Sequence, residues 1–307
     1  MTDSLVEYRN CPNCGQDDFE VLFDSNMGEN DFQEGIETVY MLPGGKYGRH
    51  VKCRNCHLIY VNPIEKASKI NQDYSRRESI DASTIRRSRL HATKSQVKLI
   101  KKYKNGTSLL DIGCGEGFFL FNASKAGYVT KGIELSQDAA EYAKREFSLD
   151  VEANPLEELQ LMENHFDVVT LWVVLEHVPY PLPILKEVHR ILKPGGLLAV
   201  STPNIESIFA KILGKRWWEL RRVHINQFTM KTLMDIFKNA GFKNVSSVCY
   251  RESISLLKLF IPILKYLKVY EKVKTLLYPD SILGSIMNKI MLAYPSRLNY
   301  STVIGFK

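Results

Sequence analysis

Two groups of residues carry the chemistry of this chain. The first is a pair of matching C-x-x-C turns, Cys11-Pro12-Asn13-Cys14-Gly15 and Cys53-Arg54-Asn55-Cys56-His57. Two thiolates in one tight turn can bind the same ion. Four make a closed tetrahedral site, which is structural because no position remains for water, and zinc is its usual metal. The opening residues include Asp3 and Glu7 in place of an apolar core, so no signal peptide is read there. A reducing, cytoplasmic setting follows, where disulfides are rare, and Cys11, Cys14, Cys53 and Cys56 therefore read as metal ligands. The alternative is two unrelated reduced cysteine turns. His57 adjoins a ligand, but four sulfurs fill the shell, so it reads as a surface or supporting residue.

The second group is the stretch Leu109-Leu110-Asp111-Ile112-Gly113-Cys114-Gly115-Glu116-Gly117, followed by Gly132-Ile133-Glu134. An apolar run enters a turn with three alternating glycines, where the backbone bends sharply and a ligand approaches without a Cβ in the way. A second strand then ends on a carboxylate. This is how a doubly wound sheet holds an adenosine ribose. The glycines run G-x-G-x-G, whereas a dinucleotide site needs G-x-G-x-x-G and a helix N-terminus facing a pyrophosphate. Asp111 would repel a pyrophosphate but suits a cation, and S-adenosylmethionine offers an ammonium and a sulfonium. A purely structural turn is the competing reading.

The elements that must position these residues alternate. Strands are expected near 108–112, 129–134, 149–152, 167–172, 196–201, 243–250 and 299–306. Helices are expected near 117–126, 137–147, 181–192 and 229–240. Alternation of this kind implies a parallel sheet covered on both faces, an α/β fold. With 307 residues, 45% of them hydrophobic and 24% charged, the chain has room for one sizeable core plus an accessory module. A net charge of +7 permits an acidic partner without arguing for nucleic acid. No apolar run is long enough for a spanning helix.

Phe166-Asp167-Val168-Val169-Thr170-Leu171, Leu175-Glu176-His177-Val178-Pro179 and Leu192-Lys193-Pro194-Gly195-Gly196 follow the glycine turn in order. The whole series resembles the class I S-adenosylmethionine-dependent methyltransferases. Within them it looks most like the small-molecule branch that includes ubiquinone-biosynthesis methyltransferases. The resemblance spans roughly Gly106 to Tyr250, with a last strand in Asn299 to Lys307. It implies a doubly wound, mostly parallel seven-stranded Rossmann-like sheet whose seventh strand is antiparallel. The cysteine-bearing segment resembles the zinc-ribbon modules that precede some bacterial methyltransferases. The organisation expected is a zinc ribbon over 1–65, a basic helical linker or lid over 66–104 and a cofactor-binding core over 105–250. An amphipathic helical insertion over 251–298 and a final core strand over 299–307 complete it.

The resemblance also assigns roles. Asp111 is expected to face the amino group of the donor's methionine moiety, directly or through water. Gly113, Cys114 and Gly115 form the turn against the cofactor, and Gly117 lets the following helix pack closely. Glu134 should take both ribose hydroxyls, as a bidentate carboxylate can. Leu135, Asn154 and Leu156 are expected around the adenine, and Trp172 near the methyl group. His177 and His224 are the candidates for removing a proton from an acceptor hydroxyl, with a structural role as their alternative. Trp217, Trp218, Arg221 and Arg222 share a loop with His224 and suit an acceptor pocket, with a packed lid turn as the alternative. Tyr74 and Arg86, the latter on a basic helix expected from Ser83 to Tyr103, are placed over the methionine end of the donor.

The function expected is methyl transfer from S-adenosylmethionine to a small molecule, a sugar or nucleotide-sugar, or a lipid-like acceptor, most often at oxygen. Zn2+ would be structural. One alternative is an RNA or protein methyltransferase gripping its substrate through the ribbon. Against it, Leu171-Trp172-Val173-Val174 stands where amine-methylating relatives carry Asn or Asp followed by Pro-Pro-Tyr, and the ribbon lacks a basic stripe with interleaved aromatics. A cofactor-binding scaffold without catalysis is a third reading. In the insertion, Leu256, Leu257, Phe260, Ile263, Leu264 and Leu267 oppose Lys258, Lys265, Lys268 and Lys272, with Pro262 starting or kinking the helix. Such a helix caps a core, dimerises, or lies peripherally at the inner face of a membrane.

Overall fold

A computed structural model describes residues 6–28, 45–77, 82–256, 264, 269–277 and 281–307. Five short strands open the chain: β1 (Val6–Glu7), β2 (Phe19–Phe23), β3 (His50–Cys53), β4 (Ile59–Val61) and β5 (Ile64–Glu65). β2, β3 and β4 form an antiparallel meander, and β1 pairs with β5. The two C-x-x-C turns close alike: the Gly15 N–H donates to the Cys11 carbonyl (2.9 Å) and the His57 N–H to the Cys53 carbonyl (3.0 Å). Both residues are left-handed, with φ of 75° and 62°. Glycine adopts that conformation freely, whereas His57 holds it at some cost.

Helices α1 (Ala67–Ser75) and α2 (Ala82–Tyr103) lead into the core. There β6 (Ser108–Ile112), α3 (Phe118–Lys125), β7 (Val129–Ile133), α4 (Gln137–Phe147), β8 (Asp150–Glu152), β9 (Phe166–Trp172), α5 (Pro181–Ile191) and β10 (Leu192–Pro203) alternate. After α6 (Ile208–Leu213) and β11 (Asn226–Gln227) come α7 (Met230–Asn239), β12 (Lys243–Ser247), β13 (Arg251–Ser255), β14 (Met291–Pro295) and β15 (Tyr300–Phe306). Local chemistry sets the helix starts. The Ser136 hydroxyl accepts from the Ala139 N–H ahead of α4, and Thr229 with Thr232 makes a reciprocal capping box ahead of α7.

Seven strands form the main sheet in the order β12-β15-β10-β9-β6-β7-β8. β15 runs antiparallel to both neighbours, and the paired strands from β10 to β8 are parallel. Leu109, Leu110, Val168, Val169, Leu171, Leu198, Ala199 and Val200 are fully buried, as a sheet covered on both faces requires. The chain moves outward from β6 through β7 to β8, then returns to β9 on the other side. That reversal opens a crevice beyond the strand ends, where doubly wound sheets bind ligands.

Three features depart from the sequence reading. The strand expected over 243–250 ends at Ser247. The insertion opens and closes on strands, β13 pairing antiparallel with β14, with helices Tyr270–Leu277 and Ile282–Lys289 between them. The proposed amphipathic stripe lies outside the described residues except for Leu256, Leu264 and Lys272. Among the described residues, no helix is long and apolar enough to cross a membrane. Third, the ribbon does not stop at residue 65, because β11 pairs with β4 and completes a four-stranded sheet ordered β11-β4-β3-β2. Buried Arg9 stitches this joint. It donates to the carbonyls of Val61, Pro179 and Ile225 and to the Asn226 side chain. Burial pulls its pKa down to about 10, which leaves it charged at neutral pH.

Candidate active site

Gly113, Gly115 and Gly117 all take positive φ (71°, 54° and 79°), so the turn after β6 needs a residue without a Cβ. A Cβ on Gly113 would stand 2.5 Å from Val174 Cγ2, and one on Gly117 would meet Leu149 and Ala143. The turn thus presses against the loop after β9 on one side and α4 on the other. Glu134, at the end of β7, holds it in place. Its Oε2 accepts the Gly115 N–H (2.8 Å) and its Oε1 the Ser136 N–H (2.9 Å). A carboxylate has about four lone-pair sites, so Glu134 is oriented by the backbone and keeps capacity for two more donors.

Beyond these strand ends lies a cavity of about 400 Å³, within the roughly 300–1,000 Å³ usual for small-molecule sites. Gly113, Glu134, Leu135 and Leu156 line it, as does His177. Its far wall is the loop and start of α5, Val178 to Ile184, and its cover is α1, which contributes Ile70, Asn71 and Tyr74, with Arg77 just beyond. Tyr74 was expected over the donor, whereas the rest of this cover and the far wall meet the strand ends only in the tertiary fold.

Four residues expected at the cofactor are not in the lining of this cavity. Asp111 is buried with its Oδ1 accepting the Thr170 hydroxyl (2.6 Å), while its neighbours Ile112 and Gly113 line the cavity. Burial raises its pKa to about 8. Cys114 is buried over Gly132. Asn154 is exposed, and Pro155, Leu156 and Glu157 beside it line the cavity instead. Trp172 packs against Phe119 and Tyr250, with centroids 5.4 and 5.8 Å away, and leaves the lining to Val173 and Val174. Val173 holds φ of 59°, a costly conformation for a β-branched residue.

His177 and His224 come together, with ring centroids 4.6 Å apart. His177 Nδ1 lies 2.8 Å from the Val223 carbonyl and 2.7 Å from the Tyr74 hydroxyl. His224 Nδ1 lies 2.8 Å from the Glu219 carbonyl. Since a carbonyl only accepts, both rings carry their proton on Nδ1. Burial lowers the pKa of His177 to about 4 and that of His224 well below its ordinary value, so both are neutral at physiological pH. Burial raises that of Glu176, beside them, to about 8.

The acceptor-loop residues are largely committed to the fold. Trp217 is buried in a cluster with Tyr47, Ala210 and Leu220. Trp218 donates to Glu219 Oε1 (3.0 Å) and leans on Phe209. Arg221 donates to the Trp218 carbonyl. Arg222 pairs in bidentate fashion with Glu65 (2.9 and 2.6 Å) and lies 3.6 Å from Asp73. These arginines bind the loop to itself and to the segment entering α1, as in a packed lid turn. The backbone of α2 covers the stretch holding Arg86, whose side chain is outside the described residues.

The four cysteines also meet. Their sulfurs lie within 4.8 Å of one another, with Cys11–Cys56 at 3.4 Å and Cys14–Cys53 at 3.5 Å, and all are free thiols. A Zn–S bond of about 2.3 Å gives a tetrahedral edge of roughly 3.8 Å, so the cluster fits a thiolate-bound zinc with no open position.

A family model described as a methyltransferase domain matches residues 83–247, more than half of the chain. The chain belongs to this family. Among curated proteins, this methyltransferase-family chain is 35% identical over 111 residues to the ubiquinone biosynthesis O-methyltransferase of Haemophilus ducreyi, a match covering 32% of this chain and 46% of that one. It is also 35% identical over 118 residues to the protein of the same name from Hydrogenovibrio crunogenus, covering 36% and 48%. The chain thus spans about half the length of the curated relatives it matches. A crystal structure of a SAM-dependent methyltransferase from Archaeoglobus fulgidus aligns over 74% of this chain and 97% of that one, at 20% identity and a TM-score of 0.51. That likeness shows the Rossmann-like methyltransferase fold.

Proposed function

We propose that the chain transfers a methyl group from S-adenosylmethionine to an oxygen of a small-molecule acceptor. The observation that carries this reading is Glu134, clamped by two backbone N–H groups at a strand end and lining, beside Gly113 of the glycine turn, the cavity beyond the strand ends. Its remaining lone pairs suit the two hydroxyls of a ribose. Leu135 and Leu156 offer apolar surface for an adenine. The family match and the O-methyltransferase relatives support the same reading.

The donor supplies a methyl group on a sulfonium, which leaves with its bonding electrons on sulfur as the acceptor oxygen forms the new bond and loses its proton. Such an in-line displacement asks the protein mainly for alignment. Gly113 lets the backbone approach, and the strained Val173 turn aims the end of β9 at the cavity. His177 lines the cavity and is neutral, so its Nε2 lone pair can take the acceptor's proton, while His224 is buried beside it and outside the lining. We further propose that the four cysteines hold one structural Zn2+, which braces the ribbon against β11.

Glu134→Ala should weaken binding of S-adenosylmethionine about 100-fold, since two hydrogen bonds to a charged group are lost. Calorimetry reads this directly, and unchanged affinity removes Glu134 from the ribose site. A screen of acceptor pools with radiolabelled donor then identifies the acceptor.

A further inference from the structure

Two short segments fix the ring of His177. One is its own loop after β9, Leu175 to Pro179. The other is Val223 to Asn226, whose Val223 carbonyl receives the His177 Nδ1 proton at 2.8 Å. Both run into one side chain from near the start of the chain. Arg9 is 6% exposed, and its Nη1 donates to the Pro179 carbonyl, two residues past His177. Its Nη2 donates to the Ile225 carbonyl (2.9 Å), two residues past Val223, and to Asn226 Oδ1 (3.1 Å). Its Nε donates to the Val61 carbonyl (3.3 Å) within the ribbon. A guanidinium has donors only, so it turns the Asn226 oxygen towards itself and the amide nitrogen away. That nitrogen donates to the carbonyls of Val178 and Leu175 (2.7 and 3.4 Å), and the Asn226 backbone N–H donates to that of Glu176 (3.0 Å). The carbonyls of Leu175, Glu176, Val178 and Pro179 are thus held by Arg9 or by the asparagine that Arg9 orients.

We propose that Arg9 is a positioning residue for the transfer reaction, one that sets His177 against the acceptor, so that the N-terminal module completes the reaction site. Arg9 is itself fixed. Its N–H donates to Asn62 Oδ1 and its carbonyl accepts from Asn62 Nδ2, both at 3.1 Å, and the Tyr60 ring lies 5.4 Å from its guanidinium carbon. The groups to which its guanidinium donates are all neutral. Burying a charge among neutral groups is costly, and apolar packing would join the ribbon to the core without that cost. What a guanidinium adds is a rigid planar fork of donors that fixes several acceptors at once. Here those acceptors lie in three segments of the chain.

The same N-terminal stretch grips the next residue along the loop, because Glu7 Oε1 accepts the Tyr180 hydroxyl at 3.3 Å. Val178, Pro179 and Tyr180 line the cavity together with His177. This inference rests on the methyl-transfer reading above, in which the acceptor oxygen bonds to the methyl carbon, the C–S pair stays on sulfur and His177 Nε2 takes the acceptor's proton. A ring that shifts or rotates no longer meets that proton. Glu134, by contrast, is held by the N–H groups of Gly115 and Ser136, so the proposed ribose contact does not depend on Arg9.

Arg9→Lys and Arg9→Gln in the full-length chain test the proposal. Lysine keeps the charge as a point donor and glutamine keeps a planar head without the charge, and neither reproduces the fork. Each should lower kcat for the acceptor found by the radiolabelled screen about 100-fold, the cost of a small misplacement of a reacting group. Calorimetry should find their affinity for S-adenosylmethionine at the wild-type level. In chain labelled with 15N-histidine, the His177 signal, assigned by its loss in His177→Gln, should report a proton on Nδ1 alone in the wild type and a mixture of tautomers in the Arg9 variants. Arg49 sits at the same joint, donating to the Asn62 carbonyl at 2.7 Å. Arg49→Lys should therefore leave kcat and the His177 signal unchanged. A wild-type kcat or an unaltered His177 signal in a folded Arg9 variant overturns the proposal, and so does an equal loss in Arg49→Lys. Where no acceptor has been found, the His177 signal decides alone. Should both Arg9 variants fail to fold, Asn226→Ser, which cuts the link from Arg9 to the Val178 carbonyl, must show the same losses or the proposal falls. Wild-type chain that binds no S-adenosylmethionine defeats the methyl-transfer reading instead, whereas donor binding with undisturbed Arg9 variants defeats this inference alone.

Discussion

The cysteine cluster and the Glu176–His177–His224 cluster each bring polar side chains together, and they are built in opposite ways. Four thiols come from two turns whose members are three residues apart, and each turn is closed by its own backbone hydrogen bond. The turns need only face each other across β3 and β4. The second cluster draws its third member from a loop after β10, and its geometry depends on carbonyls of Val223 and Glu219 that no spacing rule selects. One cluster packs against apolar residues of the core, with Cys11 and Cys53 buried and Cys14 and Cys56 partly so, and the other borders a cavity. A local pattern thus gathers one cluster within a small module, and a long-range meeting gathers the other beside a cavity.

Changes that separate the two regions range from severe to slight. Cys53→Ser should have the largest effect. Metal analysis should lose the thiolate-bound ion, and thermal unfolding should show a loss of several kcal/mol or more, given the roughly 10 kcal/mol that structural zinc supplies to small modules. Gly113→Ala comes next, because its Cβ would collide with Val174 at a positive-φ position. It should cost about 1–3 kcal/mol in denaturant unfolding and weaken donor binding as well.

Asp111→Asn should act through pH. Burial raises the folded-state pKa of Asp111 from 3.8 to about 8, so the folded chain holds a proton that the unfolded chain releases. The stability linked to that proton is full below about pH 4 and is lost as pH rises towards about 8. The asparagine variant should lack this slope and gain on the wild type across that interval in denaturant melts. Tyr74→Phe should be the mildest. It removes one of two partners of His177 Nδ1, a change of about 1 kcal/mol in denaturant unfolding, and should leave metal content unmoved.

Much of the fold was legible because it is written in short-range terms. Continuous apolar runs such as Val168 to Leu171 announce buried parallel strands, and Ser136 and Thr229 announce helix starts. Gly113 and Glu134 were readable for the same reason, since a strand-to-helix turn and an acidic strand end are local signatures. Trp217 and Arg222 left two readings open, an acceptor pocket or a packed turn, because residue type says nothing about burial. An aromatic suited to stacking on a ligand is equally suited to a core, and Arg222 found Glu65, far away in sequence, as its partner. Asn154 and Trp172 show the same limit at finer scale. The right segments reach the cavity, but the alternation of side chains at a strand end decides which residue turns inward.

By itself the sequence determined a doubly wound sheet, a glycine turn with its carboxylate, and two thiol pairs, because spacing within a few residues dictates backbone shape and ligand geometry. Only the tertiary structure decided that α1 covers the cavity, that Arg9 ties the ribbon to the loop bearing His177, and that Glu176 and two imidazoles converge. Those outcomes depend on contacts between distant segments, whose free energy comes from burial and hydrogen-bond satisfaction, and neither leaves a periodic trace in the chain.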